Sequence, residues 1–112
     1  MTTKLIKGLS QIQSKYDAFF IDLWGVVHNG IQLYPDAIDV LEKLNKINKR
    51  FVLISNAPRP SKSVERYLLN LKMNKVYIKN IFTSGEAATQ ILKKKLVALK
   101  IYWLFLKQHA KK

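Results

Sequence analysis

The chain has no cysteine. That excludes disulfides, thiolate zinc sites and a cysteine nucleophile together. Histidine is nearly as scarce: His28 and His109 are the whole supply, too few to build a histidine-based metal centre unaided. Seven acidic residues face twenty Lys and Arg, and none of the acids follows Glu86. The longest apolar run, residues 96–106, is broken by Lys100 and falls short of the roughly 20 residues a bilayer span needs. The opening stretch MTTKLIKGLSQIQSK holds no apolar core of signal-peptide length, which predicts a cytoplasmic protein. There is no internal repeat and no low-complexity linker.

What is present suits one small folded domain. The chain has 112 residues, 48% of them apolar, a fraction ordinary for a packed core. The net charge of +13 is unevenly placed. Residues 1–40 carry three Lys against four Asp, residues 41–80 ten Lys or Arg against two Glu, and residues 81–112 seven Lys against one Glu. Such a balance favours phosphate-bearing partners. It is equally what a lysine-rich compositional habit would give.

The organising stretch is YDAFFIDLWGVVHNG, residues 16–30. Its apolar run Ala18-Phe19-Phe20-Ile21 predicts a parallel strand buried on both faces, ending at Asp22. A carboxylate there stands in the crevice outside the carboxyl edge of the sheet, where open α/β folds place their ligands. A turn or helix-cap role is the plainer alternative for a lone Asp. Asn29-Gly30 marks a turn, and Tyr34-Pro35-Asp36 opens a helix. Ala37, Val40, Leu41, Leu44 and Ile47 share one face of that helix, and Asn48-Lys49-Arg50 closes it. Phe51-Val52-Leu53-Ile54 is the second strand and runs into Ser55-Asn56-Ala57-Pro58. Strand, helix, strand makes a βαβ unit, so the strands should be parallel and Asp22 and Ser55 should share an edge. Ser61 or Ser63 is placed to cap the next helix, striped by Val64, Leu68 and Leu71. Residues 78–82 suggest a short third strand. Thr83-Ser84-Gly85-Glu86 has capping-box spacing, starting a helix through Ala87, Ala88, Ile91 and Leu92.

The segments FFIDLWGVVHNG, LYPDAIDVLEKLNKINKRFVLISNAPRPS and IFTSGEAATQIL, taken in order, resemble the first part of haloacid dehalogenase (HAD) superfamily hydrolases. They are most similar to subfamily IIA, which includes nucleotide, sugar-phosphate and nitrophenyl-phosphate phosphatases. The resemblance covers about residues 16–92. It implies an α/β fold: a partial Rossmann-like HAD core with a parallel sheet, without the cap domain and the C-terminal half of the core. The domain reading is a lead-in over 1–15, the partial core over 16–92 and a basic amphipathic tail over 93–112.

The family's first motif, Asp-x-Asp-Gly, is matched by Asp22-Leu23-Trp24-Gly25. The resemblance implies Asp22 as the nucleophile that forms an aspartyl-phosphate. It also implies Mg2+ held by Asp22 and the Trp24 main-chain carbonyl. Ser55 matches the second-motif hydroxyl that binds the phosphoryl group, and Gly25 and Asn56 complete the implied substrate contacts. Trp24 stands where the family has its general acid and base. Asp17, Asp36 and His28 are candidates to replace it, with His28 better read as a turn residue. The family's third-motif Lys and fourth-motif Asp have no counterpart in the sequence, although Lys93, Lys94 and Lys95 are abundant.

The tail KKKLVALKIYWLFLKQHAKK has apolar residues nearly all round a helix, with Lys93, Lys100 and Lys107 as a narrow charged stripe. Two readings stand: an amphipathic closing helix, or the end of a truncated or frameshifted copy. The functional expectation is a phosphate-ester hydrolase by descent, weakly active or inactive alone, acting on a phosphorylated small molecule and self-associating through the tail. The alternative is a non-catalytic basic module contacting nucleic acid or anionic membrane, against which stands the lack of any nucleic-acid motif.

Overall fold

The computed structural model describes residues 2–95. After two short 3-10 turns at Leu9–Gln11 and Gln13–Lys15, the chain forms β1 (Ala18–Asp22), α1 (Pro35–Lys46), β2 (Arg50–Ser55) and α2 (Ser61–Asn70). A one-turn helix α3 (Lys75–Ile78), β3 (Ile81–Thr83) and α4 (Ser84–Lys95) follow. The three strands form one parallel sheet in the order β1-β2-β3. Asp22 is opposite Ile54 and Ser55 opposite Thr83, so all three strands end at the same edge. The fold is therefore α/β, with helices as the crossovers that parallel pairing demands.

Leu41 and Leu44 of α1, Val64 and Leu68 of α2 and Phe51, Leu53 and Ile81 of the sheet pack into one core. Leu53, on the central strand, is fully buried. The expectation that β1 is buried on both faces is corrected. Among the described residues only one face of the sheet is covered; Phe20 is 77% exposed and Phe82 42%, with Ile54 exposed beside Phe82. The runs are apolar at every position, so the sequence carried no period to separate a covered face from an open one.

Three local expectations also change. Residues 78–82 do not form one strand: the Asn74 side chain accepts the Val76 N–H at 3.0 Å and starts α3, delaying β3 to Ile81. Neither Ser61 nor Ser63 caps α2, and the Ser61 hydroxyl is buried without a partner. The Glu86 carboxylate, from α4, accepts the Ser61 N–H instead at 3.2 Å, placing negative charge at the positive end of α2. Only half of the expected capping box therefore forms: Thr83 Oγ1 accepts the Glu86 N–H at 3.0 Å, while Glu86 reaches another helix. The third change is in α4, whose expected apolar stripe contributes no buried residue. Gly85 is required by close approach, since a Cβ there would lie 2.4 Å from the Arg59 nitrogen.

Both long crossover helices end in the same way. Past α1, Asn48 turns left-handed (φ +55°), and its N–H and that of Lys49 donate back to Asn45 and Leu44. Past α2, Lys72 does so (φ +70°), with Lys72 and Met73 donating to Leu69 and Leu68. These are Schellman closures, and at the end of α2 both Met73 and Leu68 are buried in the core. α1 also carries exposed i,i+4 pairs, Lys43–Asp39 and Lys46–Glu42, with the acid N-terminal to the base in the orientation that favours a helix.

Among the described residues no helix is long and apolar enough to cross a membrane. The expected tail helix over 93–112 lies outside the described residues beyond the Lys93–Lys95 end of α4.

Lys72 tests the closure of α2. The left-handed conformation costs an L-residue about 1–2 kcal/mol, and glycine gives back roughly 0.5–1 kcal/mol through its freer unfolded chain. Lys72→Gly should therefore raise stability by about 0.5–1 kcal/mol in urea unfolding. An unchanged or lower midpoint would show that the strain is relieved some other way.

Candidate active site

The site grows from the carboxyl edge of the sheet. Pairing continues one residue past β1, where the Leu23 N–H donates to the Ile54 carbonyl at 3.1 Å. Leu23 is buried in the core, and the alternation of an extended chain turns its neighbours Asp22 and Trp24 the other way. The Leu23 carbonyl then gathers the N–H groups of Val26, Val27 and His28, and Gly25 N–H donates to the His28 carbonyl. Fully buried Val27 pins this turn to the core. Gly25 (φ +77°) and Gly30 (φ +90°) supply its left-handed positions.

Beyond the turn, the Asn29 side chain accepts the N–H groups of Ile31 and Gln32, both at 2.9 Å. The Gly30 N–H donates to His28 Nδ1 at 3.0 Å. Because Nδ1 accepts, the neutral imidazole carries its proton on Nε2. His28 is only 5% exposed. Its ring meets Trp24 and Tyr67 edge-to-face, each at 5.5 Å between centroids. Tyr67, on α2, donates its hydroxyl to the Gly30 carbonyl. Burial lowers the pKa of His28, partly opposed by the nearby Asp22 charge. His28 is thus a structural member of the turn.

The Trp24 ring lies directly over Gly30; a Cβ on Gly30 would sit 2.6 Å from indole Cη2 and Cζ3. Even so, Trp24 is 62% exposed. It lines a cleft of about 570 Å3 together with Asp22, Ser55, Asn56, Thr83 and Phe82. Four of the sequence-predicted residues, Asp22, Trp24, Ser55 and Asn56, therefore share one cleft. Gly25 shapes the turn and does not line it, and neither do Asp17 and Asp36. Ser55 Oγ accepts the Ala57 N–H at 3.2 Å, holding the loop after β2. Asp22 Oδ1 accepts the Leu23 N–H at 2.9 Å.

Thr83 and Ser84, which also line the cleft, were not anticipated there. The signal was available: a third parallel strand must end at the same edge as the first two. Among the described residues, Asp22 is the only charged side chain in the lining, and no cluster of three metal-ligating side chains occurs. For Mg2+, which is commonly held by one or two carboxylates with waters and substrate phosphate, the described residues offer part of a donor set. The Asp22 carboxylate is present, and the hydrogen bonds of the turn converge on the Leu23 carbonyl and leave that of Trp24 out.

The family model described as haloacid dehalogenase-like hydrolase matches residues 19–111. Among solved structures, a haloacid dehalogenase-like hydrolase from Brucella suis superposes with a TM-score of 0.72 at 30% identity, covering 80% of this chain and 34% of that one. A 4-nitrophenylphosphatase from Thermotoga maritima gives 0.64 at 28% identity, covering 76% and 33%. A protein described as putative nagD gives 0.62 at 29% identity, covering 73% and 32%. The chain spans about a third of the length of these structures. A search of curated proteins found no match.

Two measurements check the turn. Gly30→Ala puts a methyl against the indole and an L-residue at φ +90°. It should lose about 1–2 kcal/mol and change the Trp24 emission, read in a Trp103→Phe background. Unaltered emission would mean the ring does not rest on Gly30. The second concerns pH. The folded pKa of His28 is depressed, so the unfolded chain takes up a proton that the folded chain refuses. Stability from this group is complete above about pH 6.5 and falls as pH drops below it. Melting temperature should decline between about pH 7 and 5.5, and less so in His28→Gln.

Proposed function

This chain belongs to the haloacid dehalogenase-like hydrolases, and on that basis we propose that it is a cytoplasmic, subfamily IIA-type phosphate-ester hydrolase in which Asp22 is the nucleophile. The observation that carries the reading is the placement of Asp22 and Ser55 at the ends of adjacent parallel strands, lining one cleft. An Asp22 oxygen attacks phosphorus and gives an aspartyl-phosphate, whose hydrolysis returns the carboxylate. The Ser55 hydroxyl and the Asn56 amide hold the phosphoryl oxygens as charge moves between them. Leu23, packed in the core, and its N–H bond to Asp22 Oδ1 fix the carboxylate for the attack.

Mg2+ would be held by the Asp22 carboxylate and the Trp24 carbonyl, where it offsets the repulsion between carboxylate and phosphate. The other sites of the family, beyond the third of the length spanned here, would select the substrate. Likeness to a 4-nitrophenylphosphatase suggests small aryl phosphates as first substrates to try.

The test is 4-nitrophenyl phosphate hydrolysis by the purified chain with Mg2+. Positioned acid-base groups contribute about 10²–10⁴-fold, so turnover should be slower than that of relatives with Asp at the position of Trp24 by about that factor. Asp22→Asn should abolish what remains, and Ser55→Ala should lower it. Activity that survives Asp22→Asn would remove the nucleophile from this reading.

A further inference from the structure

Among the described residues, the cleft sets the Asp22 carboxylate with no second ionisable side chain beside it. At the position two residues after Asp22 stands an indole, its ring resting on Gly30 and edge-on to His28. His28 is closed in between Trp24 and Tyr67, and its Nδ1 is engaged by the Gly30 N–H. The remaining polar side chains of the lining are hydroxyls and an amide. Ser55 Oγ accepts the Ala57 N–H, and Thr83 Oγ1 donates to the Arg59 carbonyl. Among the described residues lining the cleft, Asp22 is the only charged side chain, and it is spent as the nucleophile.

Phosphoryl transfer to a carboxylate breaks the bond between phosphorus and the leaving oxygen, and that oxygen keeps the electron pair. An alkoxide is nearly as basic as hydroxide, so an alkyl ester needs a proton delivered as the bond breaks. A carboxylate, whose acid has a pKa of about 4, or an activated phenolate, well below the roughly 10 of a plain phenol, leaves without one. The second half-reaction has the mirror requirement. Water must lose a proton as it attacks phosphorus, and the same position would have accepted it.

We propose that Asp22 takes its phosphoryl group from donors whose leaving group departs as a stable anion, namely acyl phosphates and activated aryl phosphates, and then keeps it as a long-lived aspartyl-phosphate. This rests on the reading of Asp22 as nucleophile. In the transfer, an Asp22 oxygen forms the new bond to phosphorus, the bond to the donor oxygen breaks, and the donor leaves as carboxylate or phenolate with no proton moved. The product is a chain marked at one residue, and Trp24 is the specificity-determining residue because it removes the proton path.

The experiment uses the full chain with Mg2+ and a donor series: acetyl phosphate, 2,4-dinitrophenyl phosphate, 4-nitrophenyl phosphate, phenyl phosphate and glycerol 3-phosphate. Intact-mass measurement follows phosphorylation of the chain, and release of the leaving group follows rate. Acetyl phosphate should give a singly phosphorylated chain that is absent in Asp22→Asn. Rates should fall by about 10²-fold or more from the dinitrophenyl to the phenyl ester, with glycerol 3-phosphate inert. Trp24→Asp should restore glycerol phosphate turnover and shorten the life of the phosphorylated chain. If that variant does not fold, the donor series on the unsubstituted chain still decides. Equal rates across the series, or rapid loss of the phosphoryl group, would overturn the proposal while leaving Asp22 as nucleophile. No phosphorylation from any donor would overturn the nucleophile and the proposal together.

Discussion

Two parallel strands cannot be joined by a tight turn, so the chain must return along the length of the sheet before the second can begin. α1 makes that return, and it does so because Leu41 and Leu44 have Leu53 and Phe51 to pack against. Everything at the site follows from this constraint. It brings the ends of β1, β2 and β3 to one edge, and with them Asp22, Ser55 and Thr83. Leu23 locks the arrangement by adding one more bond to β2 and burying its side chain. The residue that fixes the carboxylate is an apolar neighbour, not a polar partner.

The apolar strand runs, the helix between them and the residues at their ends were legible because each has a strong local cause. A four-residue apolar run stopping at Asp22 or Ser55 reads plainly, as does the stripe of Leu41 and Leu44. Less legible was anything set by neighbours distant in sequence. Glu86 looks like the partner of its own helix start, yet its carboxylate goes to Ser61, 25 residues away. The one-turn helix at Lys75–Ile78 hangs on a single Asn74 side chain, a signal easily outweighed by the apolar residues after it. Thr83 read as a cap and proved also to line the cleft, because only the third strand's register discloses it.

The site joins a rigid frame to a plain chemical inventory. Its turn is tied by backbone bonds, by the Asn29 side chain and by Tyr67 reaching from α2. Trp24 and Tyr67 each meet the His28 ring edge-to-face within it. Side chains that in another sequence could move protons are here used to hold shape. On the reading of Asp22 as nucleophile, such a trade would keep the geometry of attack while narrowing the chemistry that can follow it.

The contact between Trp24 and Gly30 also orders the substitutions open to this chain over evolutionary time. The indole occupies the volume that any side chain at position 30 would need, so a bulky residue at 24 is acceptable only on a background that has glycine at 30. The dependence does not run equally in reverse. Gly30 is held by its own backbone at φ +90° whatever stands at 24. A lineage could therefore exchange Asp for Trp at position 24, or return, without touching position 30. Drift away from glycine at 30 would close that route, leaving the pair as a case of one-sided epistasis written into a single van der Waals contact.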